Sequence, residues 1–255
     1  MSDEKPIVYL ILGVPGGGRR EIVADLIEGG LSSEDKTVVF VAAAEPEDAT
    51  EGRLGQVVRW QWSENKDNEI EASWPDEATV GFFISDGRAS QVDQIEAFKP
   101  WMKAQEVELG RVISVLYCQL VAQHDQLLAW YDACVYFSDI MLLNRRDGVA
   151  NKWISDLKTR FVKKCMPCLV EMVKKGKVHN PALVLDLQAC RMSHWFDEEE
   201  DAWAALVDSD TEIILQDDAE DDLGDELVED VDIYLARHSS GRRVKEVPDI
   251  TKFIS

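Results

Sequence analysis

Short continuous apolar runs recur along the chain, and the segments between them space their apolar residues at helical intervals. Ile7–Leu12 is the first such run, as expected of a strand buried on both faces of a parallel sheet. Arg19–Glu28 follows with Ile22, Val23, Leu26 and Ile27 on one side, a helix that Gly29-Gly30 is expected to end. Thr37–Ala43 predicts a second buried strand, Val57–Trp62 an edge or hairpin strand, and the polar Ser63–Asn68 a turn. Val80–Ser85 predicts another buried strand, followed by a helix that contains Pro100 and runs through Leu109. Beyond it the pattern predicts a strand at Val112–Leu116, a helix at Val121–Tyr131 and a strand at Ile140–Leu143 that stops at Asn144. Asn151–Lys175 forms a long basic amphipathic region interrupted by Pro167, and Ala182–Leu187 is the last strong predicted strand. Strands alternating with helices imply an α/β fold: a mostly parallel sheet with helices on both faces.

The junction of the first strand and helix carries the first candidate chemistry. Gly13-Val14-Pro15-Gly16-Gly17-Gly18-Arg19-Arg20 has the strand, glycine-rich turn and helix start of a P-loop. In that motif backbone N–H groups wrap a phosphate chain and the helix N-terminus points at it. Two positions depart from the pattern. Arg19 stands where Lys reaches the β- and γ-phosphates, and Arg20 where Ser or Thr ligates magnesium. A cation at the metal's position repels Mg²⁺, so efficient phosphoryl transfer is not expected. Either Arg20 contacts the phosphates as a fixed cation, or it pairs with Asp86 at the end of the third core strand and the loop survives as a structural turn.

The second candidate element is Asn144-Arg145-Arg146-Asp147, at the end of an apolar strand. It looks like the Asn-Lys-x-Asp element with which P-loop GTPases read guanine. On that pattern Asp147 accepts from the base, Asn144 buttresses the loop, and Arg145 in place of Lys stacks its plane on the ring.

The order and separation of these two motifs resemble the CobW family of GTPases, relatives of the urease and hydrogenase nickel-insertion GTPases. The resemblance covers roughly residues 5–195. Arg111–Cys118 falls where the family has the strand before its base-reading element, and Phe83–Ala89 where it has its second phosphate-sensing loop. The departures are specific. The family's Cys-x-Cys-Cys metal motif has no counterpart, because no Cys precedes Cys118. Its Asn-Glu pair is replaced by Ala42-Ala43-Ala44-Glu45, and its C-terminal domain by an acidic segment.

Charge sharpens the division of the chain. The net charge is −22 over 255 residues, which disfavours nucleic acid and anionic membranes as partners. From Asp197 to Asp232 there is no Lys or Arg. The expectation is therefore a P-loop domain at 1–195 and a partly ordered acidic extension at 196–255. Within the extension, Trp203, Leu206 and Val207 suggest a short helix and Glu212–Leu215 a short strand. The basic block Lys158, Arg160, Lys163, Lys164, Lys174, Lys175 and Lys177 offers the acidic segment a surface to fold back on, or a basic partner competes for that segment.

Other constellations carry less. Five cysteines, an odd number set mostly in apolar segments, suit reduced thiols. Cys165-Met166-Pro167-Cys168 lacks the preceding strand of a redox motif, although a zinc set with Cys190 and His194 has tolerable spacing. Trp60, Trp62, Trp74 and Trp101 either line an interaction surface or cover the core edge.

The sequence thus predicts a cytoplasmic protein that binds guanine nucleotide without efficient hydrolysis, in a sensing or scaffolding role. GTP is the expected ligand, magnesium is disfavoured, and no catalytic or metal-ligating residue is assigned. Gly13, Gly16, Gly17, Gly18, Arg19, Arg20 and Asp86 are the candidate phosphate-side residues; Asn144, Arg145 and Asp147 are the base-side ones. The rivals are an interaction module with an inert pocket, bound to an unidentified protein, and a slow GTPase in metal delivery, as the resemblance implies.

Overall fold

The computed structural model describes residues 5–63, 68–197 and 232–254. The expected helix around Trp203, the strand at 212–215 and the fold-back of the acidic segment lie outside them. The chain divides into two compact units, Met1–Met192 with Glu246–Ser255, and Ser193–Lys245.

The first unit alternates strands and helices: β1 (Ile7–Gly13), α1 (Arg19–Gly30), β2 (Thr37–Ala42), β3 (Gln56–Trp62), β4 (Ile70–Glu71), β5 (Val80–Ile84), α2 (Gln91–Ala104) and β6 (Glu108–Tyr117). It continues with α3 (Cys118–Gln123), α4 (Leu127–Tyr136), β7 (Ile140–Asn144), α5 (Asn151–Lys163), β8 (Leu169–Lys174), β9 (Lys177–Val178) and α6 (Pro181–Val184). The strands form one sheet in the order β4-β3-β2-β5-β1-β6-β7-β8-β9. Only the outermost pairs, β3–β4 and β8–β9, are antiparallel. This is the mostly parallel α/β sheet of the P-loop NTPase type, with β1 between β5 and β6 at its centre.

Period-two alternation sorts the strand side chains between two helical layers. Tyr9 and Ile11 of β1, with Phe82 and Ile84 of β5, face α1 and pack against Ile22, Val23 and Leu26. Phe83 points the other way, onto Phe98 and Trp101 of α2, at 4.9 and 5.1 Å between ring centroids. Phe40 and Trp60 extend this aromatic layer, and Trp74 stacks on Phe40 at 5.7 Å. The tryptophans of the first half therefore serve mainly as core, with Trp60 and Trp101 buried.

Four predicted elements change. The helix containing Pro100 ends at Ala104, because Glu106 takes a left-handed φ of 55° and Glu108 and Leu109 already belong to β6. The single helix at Val121–Tyr131 is two, broken where His124 leaves helical geometry with φ −137° and ψ 83°. The basic region after Asn151 stops being helical at Lys163; Cys165 turns left-handed, Pro167 follows, and Leu169–Lys174 forms β8, next to the edge strand β9. Ala182–Leu187 is no strand: Pro181 opens the short helix α6, capped by the Asn180 side chain. Gly30 lies inside α1 and admits α6, since a Cβ there would come within 2.7 Å of Leu185.

In the second unit, Asp232 accepts a 2.5 Å hydrogen bond from the Ser193 hydroxyl and a 3.1 Å bond from the Tyr234 amide. Burial raises its carboxyl above the usual range. Lys245 Nζ lies 4.3 Å from the centre of the Tyr234 ring.

Candidate functional site

In a parallel sheet every strand ends on the same edge, so the loops after β1, β2, β5, β6 and β7 meet there. The glycine-rich loop after β1 sits at the centre of that edge. Gly13, Gly16 and Gly18 have φ of 143°, 75° and 87°, values that side chains with a Cβ rarely adopt. A Cβ on Gly18 would stand 2.4 Å from Asn144 Nδ2, and one on Gly16 would stand 3.6 Å from the Tyr117 ring. The loop is thus pressed against the strand ends of β6 and β7. Asn144 is buried and donates to Gly17 O at 2.8 Å, which ties the two candidate motifs together.

The two arginines opening α1 are almost fully buried, Arg19 at 4% exposure and Arg20 at 7%. Arg19 donates to Ser85 O, at the end of β5, and through Nη2 to Glu45 Oε1 at 2.5 Å. Arg20 donates to Glu45 Oε2 at 3.1 Å, to Asp48 Oδ2 at 3.1 Å and to Pro46 O at 2.7 Å. Its Nη1 also lies 2.9 Å from Glu51 Oε1. Glu45 therefore bridges both cations from the loop after β2, and Arg59 donates to its carbonyl at 3.1 Å.

The Arg20–Asp86 pairing raised by the sequence gives way to this network. Asp86 instead accepts from the Arg88 amide at 2.9 Å, a tight turn that holds the loop after β5. Gln94 grips the Asp86 backbone from both sides, accepting from its amide at 2.6 Å and donating to its carbonyl at 2.8 Å. Gly87 lies directly on the glycine-rich loop, where a Cβ would meet Gly13 O at 2.4 Å.

These loops border an open cleft of about 280 Å³ lined by Gly16, Gly18, Arg19, Arg20, Arg88 and Arg145 together with Glu21, Glu45 and Asp48. Arg145 belongs to this side: left-handed at φ 51°, it reaches Glu21 Oε1 at 2.8 Å and Gly16 O at 3.4 Å. A second cavity of about 670 Å³ is lined by Tyr117, Gln119, Leu120, Asp147, Gly148 and Trp153. Asp147 is exposed on its rim, and Gln119 donates to its carbonyl at 2.6 Å. Of the expected site residues, Gly16, Gly18, Arg19, Arg20 and the base-side candidate Arg145 line the first cavity, and Asp147 lines the second. Gly13, Gly17, Asp86 and Asn144 line neither.

Magnesium does not fit this donor set. The hydroxyl position is Arg20, and the nearby carboxylates of Glu45, Asp48 and Glu51 are all engaged by its guanidinium. Among the described residues no group of three or more His, Cys, Asp or Glu side chains is placed to hold a metal. Cys165 is exposed, Cys168 is buried with its thiol pushed up to about 12 by burial, and Cys190 Sγ faces Pro167 O at 2.9 Å.

Glu45, Asp48, Glu51 and Arg88 are the residues that motif matching missed. A signal existed: two cations in place of a Lys and a hydroxyl require counter-charge, and the loop after β2 is the nearest source on the same edge.

No family model matches the chain, and no curated protein matches it. Among solved structures it is similar to YjiA, a GTPase of the CobW family. A zinc-bound triple mutant of YjiA gives a TM-score of 0.43 at 18% identity, over 73% of this chain and 62% of that one. Zinc-bound YjiA from E. coli gives 0.40 at 15% identity, over 72% and 66%. This chain therefore spans less than two-thirds of either YjiA chain. A likeness of that degree carries no argument about ligand, metal or activity. Among the described residues no helix is long and apolar enough to cross a membrane.

Proposed function

We propose that this P-loop protein binds a guanine nucleotide without magnesium-assisted hydrolysis and acts through the bound state, as a sensing or scaffolding protein. The observation that carries the reading is the capture of Arg19 and Arg20 by Glu45 beside a cavity that still faces the glycine-rich loop. Turnover needs a mobile cation on the β- and γ-phosphates and a metal to take up developing charge. Here the two cations at those positions are neutralised from within the protein. Binding needs less: N–H groups at the start of α1, a cavity for the phosphates, and a base-side cavity with an acidic acceptor. Asp147 and the Trp153 and Tyr117 rings supply the last of these.

Titration of the full chain with fluorescent GDP and GTP, in EDTA and in excess Mg²⁺, tests this. Saturable binding indifferent to Mg²⁺, weakened by Asp147→Ala and unaccompanied by phosphate release, is expected. Magnesium-dependent phosphate release would favour a slow GTPase instead. The completeness of the Arg19 and Arg20 bonding favours a second reading, an interaction module with an inert pocket, and failure of both nucleotides to bind would support it.

A further inference from the structure

We infer that Arg88 is the ligand-reading cation of this cavity, and that the cavity takes the diphosphate of a metal-free nucleoside diphosphate in preference to a triphosphate. The inference rests on the nucleotide-binding reading above and adds the residue and the ligand class.

Four arginines line the phosphate-side cavity, and three of them are committed. Arg19 and Arg20 are held by Glu45, with Asp48 and Glu51 also on Arg20. Arg145 is held by Glu21. Arg88 is different: its Nη1 is buried and has no hydrogen-bond partner among the described residues. A buried N–H of a charged group without an acceptor is costly, and Arg88 also lines the cavity, so turning its guanidinium onto an anion there recovers that cost.

The backbone presenting Arg88 is fixed. Asp86 caps the Arg88 amide, the buried amides of Gln91 and Gln94 both donate to Asp86 O at 2.7 and 2.8 Å, and Gly87 is wedged on the glycine-rich loop. A guanidinium on a rigid loop loses little freedom when it forms a bidentate bond to phosphate.

The charge balance sets the ligand class. Glu21, Glu45 and Asp48 line the same cavity, and Arg145, Arg19 and Arg20 already match them, so the lining apart from Arg88 is close to neutral. With three arginines already neutralised, Arg88 is the cation left to offset a phosphate chain that arrives without a metal. A triphosphate brings a further anionic group that the single unmatched cation does not offset, and a diphosphate carries one fewer.

Calorimetric titration of the full chain with GDP, GTP and inorganic pyrophosphate, in EDTA and in Mg²⁺, reads all parts of this. In EDTA the wild type should bind GDP more tightly than GTP, bind pyrophosphate as well, and gain nothing from Mg²⁺. Arg88→Gln should weaken GDP and pyrophosphate by about tenfold or more, the loss of a charged hydrogen bond. Arg88→Lys should fall between, since it keeps the charge and loses the fork. Its near-wild-type melting would separate a lost contact from a lost fold should Arg88→Gln melt early. Wild-type GDP affinity retained within about twofold in Arg88→Gln would overturn the role of Arg88 alone. Tighter binding of GTP than GDP in EDTA would overturn the ligand class. A wild-type chain that binds none of the three overturns this inference together with the broader reading.

Discussion

Glu45 gives both carboxylate oxygens to guanidinium groups, one to Arg19 and one to Arg20, and is itself only 8% exposed. Removing one member of such a set leaves buried charge uncompensated, which is worse than never having built it. Glu45→Ala is therefore expected to lose about 3–5 kcal/mol in urea unfolding. Inorganic phosphate or pyrophosphate should restore more stability to this variant than to the wild type, since an anion that binds only the folded chain replaces the missing carboxylate. Equal stability of variant and wild type would mean that the bridge contributes nothing. Gly18 is a second sensitive position. Its φ of 87° and the 2.4 Å approach of Asn144 to its missing Cβ leave Gly18→Ala strained twice over. A loss of at least about 1 kcal/mol in thermal unfolding is expected, from the left-handed backbone alone.

Elements hold their places through a few buried polar contacts as much as through apolar packing. Asp25, on the inner face of α1, accepts from the Val178 amide at 2.7 Å and so fastens β9 to the helix. Asp25→Ala leaves that amide without its acceptor, a cost of about 1–3 kcal/mol. Hydrogen exchange at Val178 should speed up while the amides of β1 stay protected; uniform acceleration across the sheet would contradict a local role. The edge where this happens is also where pattern reading failed. Leu169–Lys174 continues the basic, amphipathic composition of α5, and only the left-handed Cys165 and Pro167 separate the two. A strand next to the sheet edge with only Val173 fully buried looks much like a helix over six residues. The apolar run at Ala182–Leu187 fails for the opposite reason. Only Val184 and Leu185 of the run are buried, while Leu187 is 56% exposed, and a helix that starts with Pro181 fits the gap left by Gly29 and Gly30.

Across the whole molecule, the described groups with large shifts are buried and resist losing a proton. Burial pushes the Tyr9 hydroxyl and the Cys118 and Cys168 thiols up to about 12, from ordinary values of 10.0 and 9.0. Tyr9 also donates to Leu185 O at 2.7 Å, a bond that its ionised form cannot make. In the unfolded chain the thiols ionise from about pH 9 and the phenol from about pH 10, so between those values and about 12 the folded state binds more protons. Stability is fully present below pH 9 and falls as pH rises through this window. A urea midpoint that holds level up to pH 9 and then declines is the expected profile. Cys118→Ala should make the decline shallower without abolishing it, since Cys168 contributes as well; an unchanged slope in that variant would assign the effect elsewhere.

Local pattern alone determined the succession of buried strands, the glycine-rich turn between β1 and α1, and the polar element that ends β7, because each depends on side chains adjacent along the chain. It also placed both candidate motifs on one sheet edge, since parallel strands share a direction. What answers Arg19 and Arg20 was decided by the tertiary structure. Glu45, Asp48 and Glu51 lie more than twenty residues away, and although two cations call for counter-charge, sequence order does not say which acidic loop supplies it. The same holds for Arg88, which becomes distinctive only once the fold has matched the other three arginines of the cavity with carboxylates. Charge compensation acts through space over a few ångströms, and sequence order fixes such distances only within one element.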